Sequence, residues 1–243
     1  MSQRSYVRRA AHAVLDRAGG PLRSVTAVRT ERPEVVLTFD DGPEPGSTEA
    51  VLDALADAGA KATFFVLLTR VTRYRPLFKA IISEGHEIAL HGSDHRRLTG
   101  FAARDVHTGL LEARERLSDA AGTKVRWFRP PYGAGLPSTH AAIRMAGLQS
   151  ALWGRTTWDW KPASQDQRLA KALDGIHSGE IILAHDGHAG RHDLVDDGPA
   201  PDVDKGELVR LVIDGLRDKG LSPTSLGEAL RGGDPVLSAR FVR

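Results

Sequence analysis

Cysteine is absent from this 243-residue chain. That absence removes disulfides, thiolate metal sites, iron–sulfur clusters and cysteine nucleophiles together, so any metal must be held by histidine and carboxylate. No apolar run approaches the roughly 18–20 residues that span a bilayer, which excludes a transmembrane helix. No export signal is expected in this stretch of sequence: behind Arg8-Arg9 the apolar run covers only residues 10–15, includes His12 and stops at Asp16, short of the usual h-region of about 7–15 residues. The expected compartment is therefore the cytoplasm. Charge of one sign is also scarce, with 33 basic against 31 acidic side chains and a net +2. The surplus is local: residues 1–32 carry seven Arg against Asp16 and Glu31, a net +5 that leaves the remainder at −3. Nucleic-acid binding wants basic residues interleaved with aromatics on one face, and this stretch offers Tyr6 alone. Residues 1–33 read as a basic, partly helical segment, with no nucleic-acid partner expected.

What is present describes one globular unit. The chain is 41% apolar with seven Phe and four Trp, enough to bury a core in a single domain from residue 34 to 243. From Glu34 onward, short apolar runs alternate with helical patterns. Strands are expected at 35–39, 62–67, 87–90, 125–128, 149–153, 180–184 and 221–224. Helices are expected at 48–58, 76–84, 102–121, 138–146, 166–177 and 205–219. The first helix shows Val51, Leu52, Leu55 and Ala58 at helical spacing, with Gly59 as its stop. Such alternation makes an α/β fold with a parallel sheet and helices outside. Periodicity alone leaves an open doubly wound sheet and a closed barrel equally possible. In both, ligands collect at the carboxyl ends of the strands, and the unusual residues fall there: Asp40-Asp41, His91 and His95, Arg129-Pro130-Pro131-Tyr132, Trp158-Asp159-Trp160 and His185-Asp186.

Two of these clusters carry chemistry by themselves. Asp40-Asp41-Gly42-Pro43 sets two carboxylates where a strand must stop, one placed to ligate a metal and the other to transfer a proton, although the same tetrapeptide is also ordinary turn chemistry. His91 and His95 stand at i and i+4, which on a helical turn puts them about 5–6 Å apart and within reach of one ion. With a neighbouring aspartate they make an Asp-His-His site with positions left open for water or substrate.

Together, TFDDGP, the HxxxH pair, RPPY, the Trp beside Asp159 and LAHD, in this order and spacing, resemble the NodB-homology polysaccharide deacetylases, carbohydrate esterase family four. The resemblance runs from about Glu34 to Leu230. It implies a distorted (β/α) barrel of about seven parallel strands and metal-dependent removal of N-acetyl groups from an amino sugar, with release of acetate. It makes Asp40 the catalytic base and Asp41, His91 and His95 the metal ligands. Arg129 would hold Asp40, the Tyr132 backbone N–H would bind the oxyanion, and Asp159 would orient the general acid His185. Trp160, Leu183 and Pro131 would line the substrate pocket. The cofactor implied is a divalent metal, zinc first, with cobalt, nickel or manganese as alternatives. The partner is an N-acetylated carbohydrate or a small amino-sugar compound. Two positions depart from the family pattern: Gly92, where Ser or Thr usually follows the first His and where Ser93 is the nearest hydroxyl to stand in, and Thr156, where many members carry Asp.

Three other readings of the residues stay open at this point. A same-fold hydrolase could act on another C–N bond, such as a cyclic imide, ureide or formamide. Two His and a carboxylate also hold Fe(II) in oxygenases. A non-catalytic glycan-binding module is the third. Finally, residues 186–204, with six Asp and three Gly, are expected to form a long loop at the active-site end, either a solvated acidic rim or a lid.

Overall fold

The computed structural model of the chain describes residues 22–242. Its framework is a line of parallel strands: β2 (Glu34–Asp40), β3 (Thr63–Leu67), β4 (Glu87–Gly92), β5 (Trp127–Phe128), β6 (Gln149–Ser150), β7 (Arg155–Thr156) and β8 (Ile181–His185), ordered β6-β5-β4-β3-β2-β8-β7. A further strand, β9 (Ser222–Thr224), pairs in parallel with the first three residues of β2. Every residue of β2 is buried, as expected of a parallel strand covered on both faces.

Period-two alternation sorts that strand. Val35, Leu37 and Phe39 join the outer core beneath the helices, whereas Val36 packs inside with Phe65, Ala89, Trp127 and Ile181. The outer layer comes from α1 (Ser47–Asp57), α2 (Leu68–Arg73), α3 (Arg75–Ser83), α4 (Ala103–Ala121), α5 (Pro137–Met145), α6 (Gln165–Leu173), α7 (Lys205–Arg217) and the short α8 (Leu226–Ala229). Val51, Leu55, Leu110, Leu117, Ile213 and Leu216 are the buried faces of α1, α4 and α7. The sheet curls into a distorted barrel of seven parallel strands in line, helices outside, as the resemblance implies.

The barrel is not closed by a ladder between its end strands, β6 and β7. The gap is filled by β1 (Ser24–Arg29), which makes a parallel bridge from Val25 to Ala151 and an antiparallel one from Ala27 to Glu180, and which pairs along its length with β10 (Asp234–Ser238). This corrects the expected boundary: residues 24–29, assigned to a basic and partly helical leading segment, form a strand of the main body. The rest of that segment, residues 1–21, lies outside the described residues. β1, β7 and β10, with α2 and α8, were not expected from periodicity: β7, α2 and α8 are short, β10 is exposed or half-buried, and β1 buries Ser24 and Thr26 among its apolar residues. The expected strands at 125–128 and 149–153 shrink to two residues each. The expected helix 166–177 stops at Leu173, where Gly175 takes a φ of 62°. No helix among the described residues is long and apolar enough to cross a membrane.

One glycine makes the β1 crossing possible. Gly179 has a φ of 80°, and a Cβ there would run into the Val28 carbonyl oxygen, which accepts no crowding because the Val28 N–H bonds to the Gly179 carbonyl at 2.7 Å. Gly190, with open space where its Cβ would go, is the control. Gly179→Ala should lower unfolding free energy by at least about 2 kcal/mol, and Gly190→Ala by less than about 0.5 kcal/mol, read from denaturant midpoints. Equal midpoints for the two variants would show that β1 does not depend on this contact.

Candidate active site

The interior face of β2 ends in Thr38 and Asp40, and the parallel register sets Asp40 directly beside His185 at the end of β8. Strand geometry alone therefore delivers a carboxylate and an imidazole to the same level at one mouth of the barrel. Asp40 is 2% exposed, and its partner Arg129 is fully buried. Arg129, just beyond β5, donates through Nη1 to Asp40 Oδ1 at 2.6 Å and to Thr38 Oγ1 at 2.9 Å. Its Nε donates to the Ala151 carbonyl and its Nη2 to the Leu152 carbonyl, both at 3.1 Å, while its plane lies 4.0 Å from the Phe65 ring centroid. Burial lowers the Arg129 pKa, an effect that Asp40 opposes.

Asp41 departs from the strand pattern. Adjacent strand residues point to opposite faces, but Asp41 has a φ of 75°, and this turn brings its carboxylate into the same cavity as Asp40. Its Oδ1 lies 3.3 Å from His91 Nε2 and 3.2 Å from His95 Nε2. Burial alone would raise its pKa; the two imidazoles hold the carboxyl well below the usual range. His91 is the penultimate residue of β4 and His95 follows a short bend after Gly92, so the pair is not on a helical turn as expected. The chelating approach survives because Gly92, at a φ of 150°, folds the chain back, leaving the ring centroids 5.2 Å apart. A Cβ at Gly92 would meet the Asp94 carbonyl, which explains why neither Ser nor Thr stands there. Ser93 is exposed and supplies no replacement; the His91 Nδ1–H instead donates to the Arg129 carbonyl at 2.8 Å, which orients the ring with Nε2 toward Asp41.

On the other wall, Asp159 accepts from the His185 backbone N–H at 2.7 Å and contacts its Nδ1 at 2.9 Å. Burial would lower the His185 pKa, but the Asp159 carboxylate, helped by Asp41 and Asp40, lifts it to about 9. Burial would raise Asp159, and the His185 charge outweighs it to lower the carboxyl. Trp160 meets His185 edge-on at 5.0 Å between centroids. The departure at Thr156 has a local use, since its Oγ1 accepts from the Trp158 N–H at 3.2 Å and steadies a residue with a φ of 54°.

These groups share a cavity of about 280 Å³ whose walls include Leu183, Trp153, Trp160 and Tyr132. Pro131 is buried behind Tyr132 and is not among the lining residues, so its expected part in the pocket is not seen. Trp153, Asp197 and Lys205 do line it and were missed; none belongs to a short motif, and only the fold brings them in.

The polysaccharide deacetylase family matches residues 27–151. The chain belongs to that family. Among relatives of this deacetylase, a chitooligosaccharide deacetylase of Sinorhizobium fredii is 35% identical over 206 residues, 84% of this chain and 95% of that protein. A peptidoglycan-N-acetylglucosamine deacetylase of Listeria monocytogenes is 37% identical over 154 residues, 63% of this chain and 32% of that longer protein. The Bc1960 peptidoglycan N-acetylglucosamine deacetylase superposes with a TM-score of 0.72 at 28% identity, covering 87% of this chain and 94% of that one. The deacetylase is thus a hydrolase of the de-N-acetylase type, and enzymes of this type depend on a metal.

Its residues fit such an ion. Asp41 Oδ1 is buried with no hydrogen-bond partner, and Asp41, His91 and His95 offer three ligand atoms within 4.8 Å of one another, a nitrogen and oxygen set suited to a divalent cation with positions left open.

Two outcomes follow for this deacetylase. Arg129→Ala leaves Asp40 buried without its partner and should lower stability by about 3–5 kcal/mol, measured by denaturant unfolding; a loss below 1 kcal/mol would remove Arg129 from this role. Because the raised His185 pKa keeps its acid form up to about pH 9, Asp159→Asn should move the alkaline limb of kcat/KM to lower pH. An unmoved limb would mean that the Asp159 charge does not set it.

Proposed function

We propose that this deacetylase removes the N-acetyl group from an amino sugar of a short or soluble glycan, with zinc as the ion held by Asp41, His91 and His95. The single observation that carries the reading is the Asp40–His185 register pair: a base and an acid face one cavity from adjacent strands, each with a fixed polar partner behind it. Two His and one carboxylate suit zinc among the divalent ions, with cobalt, nickel and manganese as substitutes.

The residues divide the work as follows. Arg129 occupies one oxygen of Asp40, which leaves the other to take a proton from an attacking water. A divalent cation held by Asp41, His91 and His95 would supply Lewis acidity for a carbonyl and for water. Tyr132 is the oxyanion donor through its backbone N–H, in a turn held at a φ of 60°. Asp159 engages His185 Nδ1, so Nε2–H is the proton left for the departing amine. A base ionised and an acid protonated near neutrality is the pairing that amide hydrolysis needs.

Leu183, Trp153 and Trp160 give the cavity apolar walls suited to an acetyl methyl, which supports acetamide cleavage over a cyclic imide or ureide. At about 280 Å³ the cavity falls just below the usual span of ligand pockets, about 300–1,000 Å³. That size supports a substrate that presents one sugar unit at a time. The relatives named for chitooligosaccharide and peptidoglycan substrates support the amino-sugar class.

Chelation should lower acetate release from chitooligomers by at least about 10²-fold, with recovery on adding zinc; undiminished turnover in metal-free protein would end the reading. Asp40→Asn should abolish turnover while retaining the metal, whereas His91→Ala should lose the metal itself, as checked by metal content after gel filtration.

A further inference from the structure

The mechanism above leaves Asp197 unused, although it sits on the cavity wall. Its carboxylate accepts from the Tyr132 hydroxyl, with both oxygens at 2.8 Å, and its Oδ2 lies 3.4 Å from His95 Nδ1. His95 is 6% exposed, and its Nδ1 is buried without a hydrogen-bond partner. A ligating imidazole keeps a proton on its second nitrogen and needs an acceptor for it, usually a carboxylate or a backbone carbonyl. For His91 that acceptor is the Arg129 carbonyl, part of the rigid strand-end scaffold. For His95 the facing acceptor is Asp197, which belongs to the long loop between β8 and α7.

The nearer half of the same loop is already fixed to the site. Asp193, 1% exposed, takes Arg70 through Nε at 3.2 Å and Nη2 at 2.8 Å, and takes the Thr69 hydroxyl at 3.0 Å. The Asp193 carbonyl accepts from the His95 N–H at 3.0 Å. The loop therefore touches His95 twice, once by a backbone bond backed by a buried ion pair and once by an exposed carboxylate at the cavity mouth. Ala200 and Pro201, a few residues further on, also line the cavity.

Resting on the metal-centre reading above, we propose that Asp197 is the positioning residue for the metal ligand His95, so that metal occupancy and closure of residues 194–201 over the cavity are one coupled equilibrium. A cation at His95 Nε2 secures the Nδ1–H, and Asp197 binds that N–H while its bond to Tyr132 draws the loop across the mouth. Linkage is reciprocal: whatever holds the loop closed tightens the metal by the same factor. The consequence for specificity is that the loaded enzyme carries a wall on this side and takes glycan ends or short oligomers rather than a continuous polymer.

The test measures zinc affinity by competition with a chromophoric chelator, together with backbone hydrogen exchange of residues 194–201, in the full chain with and without zinc. In the unsubstituted protein zinc should slow exchange across these residues. Asp197→Ala should weaken zinc about 10–100-fold and abolish the zinc-dependent slowing, with its metal-free melting temperature unchanged. Tyr132→Phe keeps the His95 partner but loses the bond that draws the loop across, so by the same linkage it should weaken zinc, and by less than Asp197→Ala does. Zinc affinity in Asp197→Ala equal to that of the unsubstituted protein, or exchange in the unsubstituted protein that ignores zinc, would overturn the proposal and leave the metal centre standing. Failure of the unsubstituted protein to bind zinc would instead overturn the metal-centre reading, and the proposal with it.

Discussion

The buried ion pair between Arg129 and Asp40 is the interaction on which the site rests. Two opposite charges out of water carry a heavy desolvation cost, which is offset only when the geometry is good and the remaining hydrogen-bonding capacity is met. Here the guanidinium spends its donors on Asp40, Thr38 and two carbonyls beyond β6, and its face rests on Phe65. The same residue offers its own carbonyl to His91. One residue, through its side chain and its carbonyl, thus joins β2, β4 and the segment after β6, and fixes both the base and a metal ligand.

Around that pair the chemistry is built by breaking regularity at strand ends. Among the described residues, four other than glycine have a positive φ: Asp41, Tyr132, Trp158 and Leu194. Each lies on the loops that surround the cavity, and such conformations, at about 1–3 kcal/mol apiece, persist where the surroundings over-determine them. At Asp41 the turn brings a second carboxylate beside the first. At Trp158 it sets Asp159 against His185.

Much of this was legible in the sequence because the two signals involved are local. Apolar runs such as VVLTF and TFFVL mark parallel strands buried on both faces, and the motifs Asp40-Asp41, His91/His95, Arg129 and His185 follow those strands directly. What was not legible depended on distance. β1 buries the polar Ser24 and Thr26 beside Val25 and Val28, and β10 is exposed or half-buried throughout, so their own patterns are weak. Asp197, Trp153 and Lys205 reach the cavity from segments with no recognisable spacing. The i,i+4 histidines were placed on a helix because that period brings side chains together, whereas a glycine-bent strand end achieves the same proximity. The acidic loop read as a solvated rim or a lid, yet Asp186 is fully buried beside Thr48 and Asp193 is locked to Arg70, which no charge count reveals.

The ladder between β1 and β10 pairs Ser24 with Ser238, and Leu152, whose N–H bonds to the Val25 carbonyl at 2.8 Å, passes its own carbonyl to Arg129. A contact of such long sequence separation is slow to form, since the entropy of closing the intervening chain is lost before the contact rewards it. The seam next to the catalytic base is covered by two strands that lie far apart in the chain, β1 bridging it and β10 pairing with β1. Assembly of the site in this sense waits on residues far from any catalytic motif.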